Sequence, residues 1–148
     1  MATLLEDYNQ KKTSVFPQIL QGTFHVDQLL QYQELLYRID VLESCLAFVR
    51  TAPTTADHRI VGYHYRVMDG FLTCLLQERH LGPAADEKLK KQRETALSNL
   101  QTVVFTFRKK FQSFAPTSPE AYRNEIQAMI NTILPAWISF RNTYVALQ

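Results

Sequence analysis

The chain has 148 residues, of which 46% are hydrophobic and 20% are charged. This length and composition are typical of one globular domain with a single hydrophobic core. The formal net charge is +2 at pH 7, so the overall charge favours neither nucleic acid nor any other charged partner.

The start of the chain and its cysteines both indicate a cytoplasmic protein. Glu6 and Asp7 stand where a secretory signal peptide would continue with apolar residues. No apolar run approaches the roughly 18 residues that a membrane span needs. Cys45 and Cys74 each fall among apolar residues of a predicted helix, so we expect packed, reduced thiols rather than a disulfide framework. We expect a cytoplasmic location and no membrane partner.

Residues 1–25 form a segment without clear periodicity. Pro17 and Gly22 interrupt it. It is nevertheless too apolar for a solvated tail, with Val15, Phe16, Ile19, Leu20 and Phe24 in its second half. We expect an N-terminal arm or short helix packed on the body.

The helix predicted over residues 26–50 has apolar residues on two faces. Its broad stripe is Leu29, Tyr32, Leu35, Leu36, Ile39, Leu42 and Leu46. Its second, narrower stripe is Leu30, Tyr37, Val41, Cys45 and Phe48. A surface helix of a globular protein usually has one apolar stripe. The second stripe therefore predicts a cover, either the N-terminal segment or another protein molecule.

A second helix is predicted over residues 57–81. Its apolar face, which includes one histidine, is Ile60, His64, Val67, Met68, Phe71, Leu72, Leu75 and Leu76. Gly62 and Gly70 each cost about 1 kcal/mol relative to Ala inside a helix, so we interpret both as points where a neighbouring helix approaches closely. Gly82 followed by Pro83 is a typical helix end.

Two further helices are predicted over residues 85–114 and 119–147. The first has the stripe Leu89, Ala96, Leu100, Val103, Val104, Phe107, Phe111 and Phe114. The second has the stripe Tyr122, Ile126, Met129, Ile130, Ile133, Trp137, Phe140 and Tyr144. Ser118 and Pro119 suit its N-cap and first helical position, and Pro135 is expected to kink it.

The sequence thus predicts an all-α fold. Helices of about 25 residues joined by short loops pack as antiparallel neighbours. We expect a single-domain up-and-down four-helix bundle over residues 26–148, with residues 1–25 as an extra N-terminal segment. No β-strand pattern competes with this prediction.

The usual metal and cofactor patterns of helical bundles are missing from the sequence. A di-iron bundle needs Glu-x-x-His pairs on facing helices, and none of the glutamates here is followed by histidine at that spacing. The histidines form no His-x-x-x-His pair, and the glycines form no phosphate-binding loop. We expect no metal, no cofactor and no enzymatic activity.

His64 is the one histidine on an apolar stripe, between two tyrosines. One interpretation is a ligand pocket in the bundle core formed by His64, Tyr65 and Trp137. The other, which we favour, is a neutral core histidine hydrogen-bonded to a neighbouring helix.

Residues 86–114 carry seven basic and three acidic residues, an excess of four positive charges. Phe105 beside Arg108, Lys109 and Lys110 resembles a stacking platform for nucleic acid. The basic residues are, however, divided between the two ends of one long helix. Charges several Debye lengths apart do not act as one patch, so we favour an ordinary solvated face.

We therefore predict a small non-enzymatic interaction protein, such as an adaptor, regulatory subunit, inhibitor or chaperone. Its interaction face would be the second stripe, and its partner would be another protein or a second copy in a homodimer. Two alternatives stay open: nucleic-acid binding through residues 86–114, and small-ligand binding near His64.

Overall fold

The computed structural model describes residues 3–10, 26–53, 57–79, 81–82, 84, 86–112 and 118–144. Helix α1 begins at residue 4 and is described as far as residue 10. The four long helices are α2 (Val26–Thr51), α3 (His58–Glu78), α4 (Glu87–Gln112) and α5 (Pro119–Arg141). Every secondary-structure element in the described ranges is a helix, so the all-α prediction is confirmed. The apolar residues predicted to cover the second stripe from positions 15–24 lie outside these ranges.

Side-chain contacts show that the long helices run alternately up and down. The end of α2 meets the start of α3, where Phe48 stacks on His64. The middle of α3 meets the second half of α4 through Asp69 and Arg108. The first half of α4 reaches the turn after α5 through Arg93. Helix α5 packs against α2, α3 and α4.

The core consists of the stripes predicted from helical periodicity. On α2 the buried residues include Tyr32, Leu35, Leu36, Ile39, Leu42 and Leu46. On α5 they include Ile126, Met129, Ile130, Ile133, Trp137 and Phe140. On α4 the buried line runs through Arg93, Ala96, Leu97, Leu100, Val104 and Phe107. Two members of this last line, Arg93 and Leu97, were absent from the predicted stripe.

The helix ends differ from the predicted boundaries by a few residues. Helix α3 ends at Glu78 because Arg79 takes the left-handed conformation, with φ 50° and ψ 30°, and its N–H bonds to the carbonyl of Leu75. Gly82 is therefore not the capping residue of α3. It has φ +74°, and a Cβ there would lie 3.3 Å from the side chain of Leu35, so both its conformation and its surroundings favour glycine.

The two ends of α5 show one agreement with the sequence and one difference. The Ser118 hydroxyl accepts the N–H of Ala121 at 3.1 Å, and Pro119 occupies the first turn as predicted. The helix continues through Pro135. It ends at Arg141 rather than near residue 147.

The two helical glycines differ from each other. Gly62 is buried, and its Cβ position lies 3.5 Å from Cε1 of Tyr122 on α5. Gly70 is exposed, with no atom within 4 Å of its Cβ position. Within this chain, a neighbouring helix therefore approaches closely at Gly62 and not at Gly70.

Helix α1 is joined to the middle of α2. The two carboxylate oxygens of Asp40 accept the backbone N–H groups of Leu4 at 2.9 Å and Leu5 at 3.0 Å. N–H groups in the first turn of a helix have no acceptor within the helix, and a carboxylate can accept their hydrogen bonds. Tyr8 is buried one turn later, with its ring 5.1 Å from that of Tyr32 in an edge-on arrangement.

Candidate functional site

The residues of the second stripe lie in two different environments. Leu30 and Tyr37 are 58% and 57% exposed, values that are high for large apolar side chains. Val41 and Phe48 are half-buried, and Cys45 is buried. The predicted interaction face is therefore open to solvent in the first half of α2 and partly covered in the second half.

A groove of about 400 Å³ follows the second half of this stripe. Its lining residues are Asp40, Val41, Ser44, Cys45 and Phe48 from α2, and His64 from α3. The His64 ring stacks on Phe48, with 4.0 Å between ring centres and an interplanar angle of 23°. Its Nδ1 donates to the carbonyl of Ile60 at 2.9 Å. His64 is thus hydrogen-bonded within its own helix rather than to a neighbouring one.

The apolar surface continues from the groove onto the first turns of α3. Ile60 is 50% exposed and Tyr63 is 64% exposed. The Tyr63 ring meets His64 edge-on at 5.7 Å, and His64 in turn stacks on Phe48 of α2. We call this surface the α2–α3 face. It consists of Leu30, Tyr37, Val41, Phe48, Ile60, Tyr63 and His64.

The charged residues of α2 beside this face have partners inside the protein. Asp40 accepts the two backbone N–H groups of α1. Arg38 forms ion pairs with Glu34 at 2.7 Å and with Glu78 at 3.3 Å. The α2 part of the face is therefore apolar and carries little uncompensated charge.

The two cysteines differ in exposure, contrary to the expectation that both are packed. Cys45 is buried and Cys74 is exposed, and both are free thiols. Burial raises the pKa of the Cys45 thiol, which disfavours the reactive thiolate. His64 lines the same groove, with its Nδ1 hydrogen-bonded to the carbonyl of Ile60 and its ring stacked on Phe48.

The structure places the three residues of the predicted pocket, His64, Tyr65 and Trp137, in different surroundings. The groove that His64 lines contains neither of the other two residues. Tyr65 follows His64 by about 100° around α3 and is buried in the core. Trp137 is buried on α5, with its ring centre 6.0 Å from that of Phe140. Helix geometry thus directs two of these side chains inward and leaves the third at the surface.

The predicted nucleic-acid contacts are mostly engaged in links between helices. Arg108 binds Asp69 of α3 at 2.8 Å and also donates to the hydroxyl of Thr73. Lys110 lies 3.9 Å from the Glu125 carboxylate of α5. Lys109 is exposed, and Phe105 is half-exposed as predicted. Two of the three cations therefore face carboxylates, which reduces the positive potential beside Phe105.

Arg93 is a core residue that sequence reasoning missed. It is almost fully buried, and its guanidinium donates to the carbonyls of Thr143 at 3.0 Å and Leu81 at 3.4 Å. The Tyr144 hydroxyl donates to the same Leu81 carbonyl at 3.1 Å. In the sequence, Arg93 belongs to a basic run, but its spacing of four residues before Leu97 places it on the buried face.

A separate cavity of about 260 Å³ lies between the first half of α2 and the second half of α3. Its apolar wall is Leu35, Ile39, Leu42, Phe71 and Leu75. Its polar rim is Gln31, Glu34, Arg38 and Glu78. No periodicity in the sequence indicates this cavity, because it depends on how far apart the two helices stand.

Within the described ranges, no group of three or more His, Cys, Asp or Glu side chains is arranged to hold a metal ion. None of the helices described is both long and apolar enough to cross a membrane. No family model matches the chain, and no curated protein or solved structure shows significant similarity to it.

Proposed function

We propose that the chain is a non-enzymatic helical interaction protein that acts through the α2–α3 face. The observation that carries this proposal is the clustering of exposed large apolar side chains. Leu30, Tyr37, Ile60 and Tyr63 are each at least half exposed. Leu30 and Tyr37 belong to α2, and Ile60 and Tyr63 belong to the neighbouring helix α3.

Single exposed apolar residues are ordinary on protein surfaces, whereas contiguous ones mark interaction sites. Leu30 and Tyr37 are seven residues apart, so they lie on the same side of α2. Tyr37 and Val41 are neighbours at i and i+4, and Val41 lines the groove with His64. Removing such a patch from water contributes about 25 cal/mol per Å², which favours a partner of similar apolar character.

The partner we propose first is a second copy of the chain. The α2 part of the face carries little uncompensated charge, so two copies can meet there without bringing like charges together. In a two-fold dimer each residue of the face contributes twice. Gly70 supports this choice. It lies seven residues after Tyr63 on α3, and the space above its Cα is open within this chain. A glycine there lets a helix of another molecule approach closely.

The test is the molar mass in solution, measured by light scattering after size exclusion at tens of micromolar protein. The proposal expects a dimer. A strict monomer at that concentration would contradict self-association and would leave the N-terminal segment, or a different protein, as the cover of the second stripe.

Nucleic-acid binding through Phe105, Arg108, Lys109 and Lys110 is not proposed as a function. The pairing of Arg108 with Asp69 and of Lys110 with Glu125 argues against a free basic patch.

A further inference from the structure

We infer that the cavity between α2 and α3 is a binding site for a small cationic amphiphile, meaning a short apolar tail with a protonated amine. The cavity shares no lining residue with the α2–α3 face, and its rim residues Glu34 and Arg38 lie beside that face. The inference rests on the apolar wall of the cavity, its volume and the net charge of its rim.

The wall of the cavity suits an alkyl or aryl tail. Leu35, Ile39, Leu42 and Leu75 are buried, and Phe71 is half-buried. An apolar tail laid against this wall removes apolar surface from water and gains dispersion contacts with the wall.

The volume of the cavity limits the size of the ligand. At about 260 Å³, it lies just below the roughly 300 Å³ at which typical small-molecule sites begin. The tail is therefore short, and the amine must reach the rim from within the cavity.

The rim favours a positive head group. Arg38 is the cation among the charged residues that line the cavity, and Glu34 and Glu78 are the anions, so the rim carries a net charge of −1. Arg38 binds one oxygen of each carboxylate in the hydrogen bonds observed. A carboxylate offers about four acceptor positions, so both can also accept an ammonium group.

The end of α3 strengthens this preference. Glu78 is the last residue of the helix, and the C-terminal end of a helix carries a partial negative charge. An ammonium group at the rim is attracted by this charge and by the carboxylates. A carboxylate ligand would face Arg38 but would be repelled by the two glutamates that already neutralise it.

The experiment compares three ligands with one tail: hexylamine, 1-hexanol and hexanoate. Their affinities for the full chain are measured by calorimetry, and the site is located from amide chemical shifts in α2 and α3. For ligands of this size we expect a Kd for hexylamine of about 0.1–1 mM. The ammonium group of hexylamine can pair with two exposed carboxylates, so hexylamine should bind about tenfold more tightly than hexanol. Hexanoate should bind most weakly.

Two variants test the parts of the site separately. The double change Glu34→Gln and Glu78→Gln alters exposed side chains, so the chain should fold normally. It should weaken hexylamine binding about tenfold and leave hexanol binding unchanged. Glu94→Gln on α4 is the matched control, because Glu94 is exposed and is absent from the cavity lining. Leu75→Phe places a larger side chain at the wall and should reduce binding of all three ligands.

Binding of hexylamine and hexanol in the expected order, with chemical-shift changes at the cavity, would support the site. Hexanoate binding as tightly as hexylamine would overturn the choice of a cationic ligand, as would unchanged hexylamine affinity in the double glutamine variant. If none of the three ligands binds at about 10 mM, well above the expected Kd, the cavity is not a ligand site. That result would leave the proposed self-association untouched, because the two are measured independently.

Discussion

The guanidinium carbon of Arg93 lies 4.2 Å from the ring centre of Tyr144. This stacking joins α4 to the turn that follows α5. The same guanidinium donates to the carbonyls of Thr143 and Leu81. One buried cation therefore ties three separate parts of the chain together.

Replacing Arg93 should destabilise the bundle markedly. Arg93→Ala removes the stacking on Tyr144 and a charged donor to two carbonyls, so the free energy of unfolding should fall by about 2–4 kcal/mol. Arg93→Lys keeps the charge but loses the planar guanidinium group, so the free energy of unfolding should fall by about half as much. Urea unfolding followed by circular dichroism measures both. Lys91→Ala, at an exposed position on the same helix, should stay within about 0.5 kcal/mol. Equal stability of Arg93→Ala and Lys91→Ala would refute the role given to Arg93.

The buried Tyr65 predicts a loss of stability in alkaline solution. Burial, with a smaller contribution from the Asp69 charge, raises the pKa of Tyr65 to about 12 from its usual value of 10.0. Between these two pH values the unfolded chain releases the proton while the folded chain retains it. The unfolded state then binds fewer protons, so stability falls as the pH rises, by up to about 1.4 kcal/mol per pH unit from this group.

Tyr65→Phe isolates that contribution. Its free energy of unfolding should decrease less steeply between pH 10 and about 12 than that of the unmodified chain. Tyr63→Phe, at an exposed position two residues earlier, should show the slope of the unmodified chain. Indistinguishable slopes for Tyr65→Phe and the unmodified chain would contradict the raised pKa of Tyr65. Urea unfolding at a series of pH values gives all three slopes.

Asp40 should hold α1 on the body of the protein. Asp40→Ala removes the acceptor for the backbone N–H groups of Leu4 and Leu5, and capping losses of this kind cost about 1–2 kcal/mol. The Asp7 amide, which bonds to the Thr3 carbonyl at 2.9 Å, should exchange with solvent about tenfold faster. Ser44→Ala, one turn further along α2, serves as the control. If exchange at Asp7 is the same in both variants, Asp40 does not hold α1.

Charged residues on the α2–α3 face should prevent the proposed self-association. The double change Tyr37→Glu and Tyr63→Glu places two negative charges per chain where two apolar surfaces would meet, and like charges in one interface oppose association. Light scattering should then give the molar mass of a monomer with unchanged helicity. Phe105→Glu is the control, because Phe105 is also a large exposed aromatic residue, on α4 and outside the α2–α3 face. It should leave the dimer intact. A dimer that tolerates both tyrosine changes would place the contact elsewhere.

The exposed end of α4 should not bind nucleic acid. The double change Lys109→Glu and Lys110→Glu reverses two charges at the nucleic-acid contact predicted from the sequence. In a gel shift at about 0.15 M salt, neither the unmodified chain nor the variant should bind single-stranded or duplex nucleic acid. The single change Lys109→Glu, at an exposed side chain, should alter the free energy of unfolding by no more than about 0.5 kcal/mol. Sub-micromolar binding by the unmodified chain, lost in the variant and weakened steeply by salt, would instead support a nucleic-acid function.

Helical periodicity was enough to predict the elements and most of the core. The broad stripe of α2, the stripe of α5 and the Ser118 cap all depend on residues within a few positions of one another in the chain. Local spacing therefore determines them, since a helix places i, i+3 and i+4 on one side whatever it packs against. The second stripe of α2 was visible for the same reason.

The partners of polar side chains were decided by the tertiary structure. Asp40 caps a helix more than 30 residues earlier in the chain, and Arg108 pairs with Asp69 across 39 positions. Periodicity places such a residue on a side of its helix, but the rotation and spacing of the neighbouring helix choose what it meets. This is why Arg93 entered the core and why Tyr65 and Trp137 point away from the groove beside His64. The cavity between α2 and α3 arises in the same way, because the separation of two helices is a property of their packing and not of either sequence pattern.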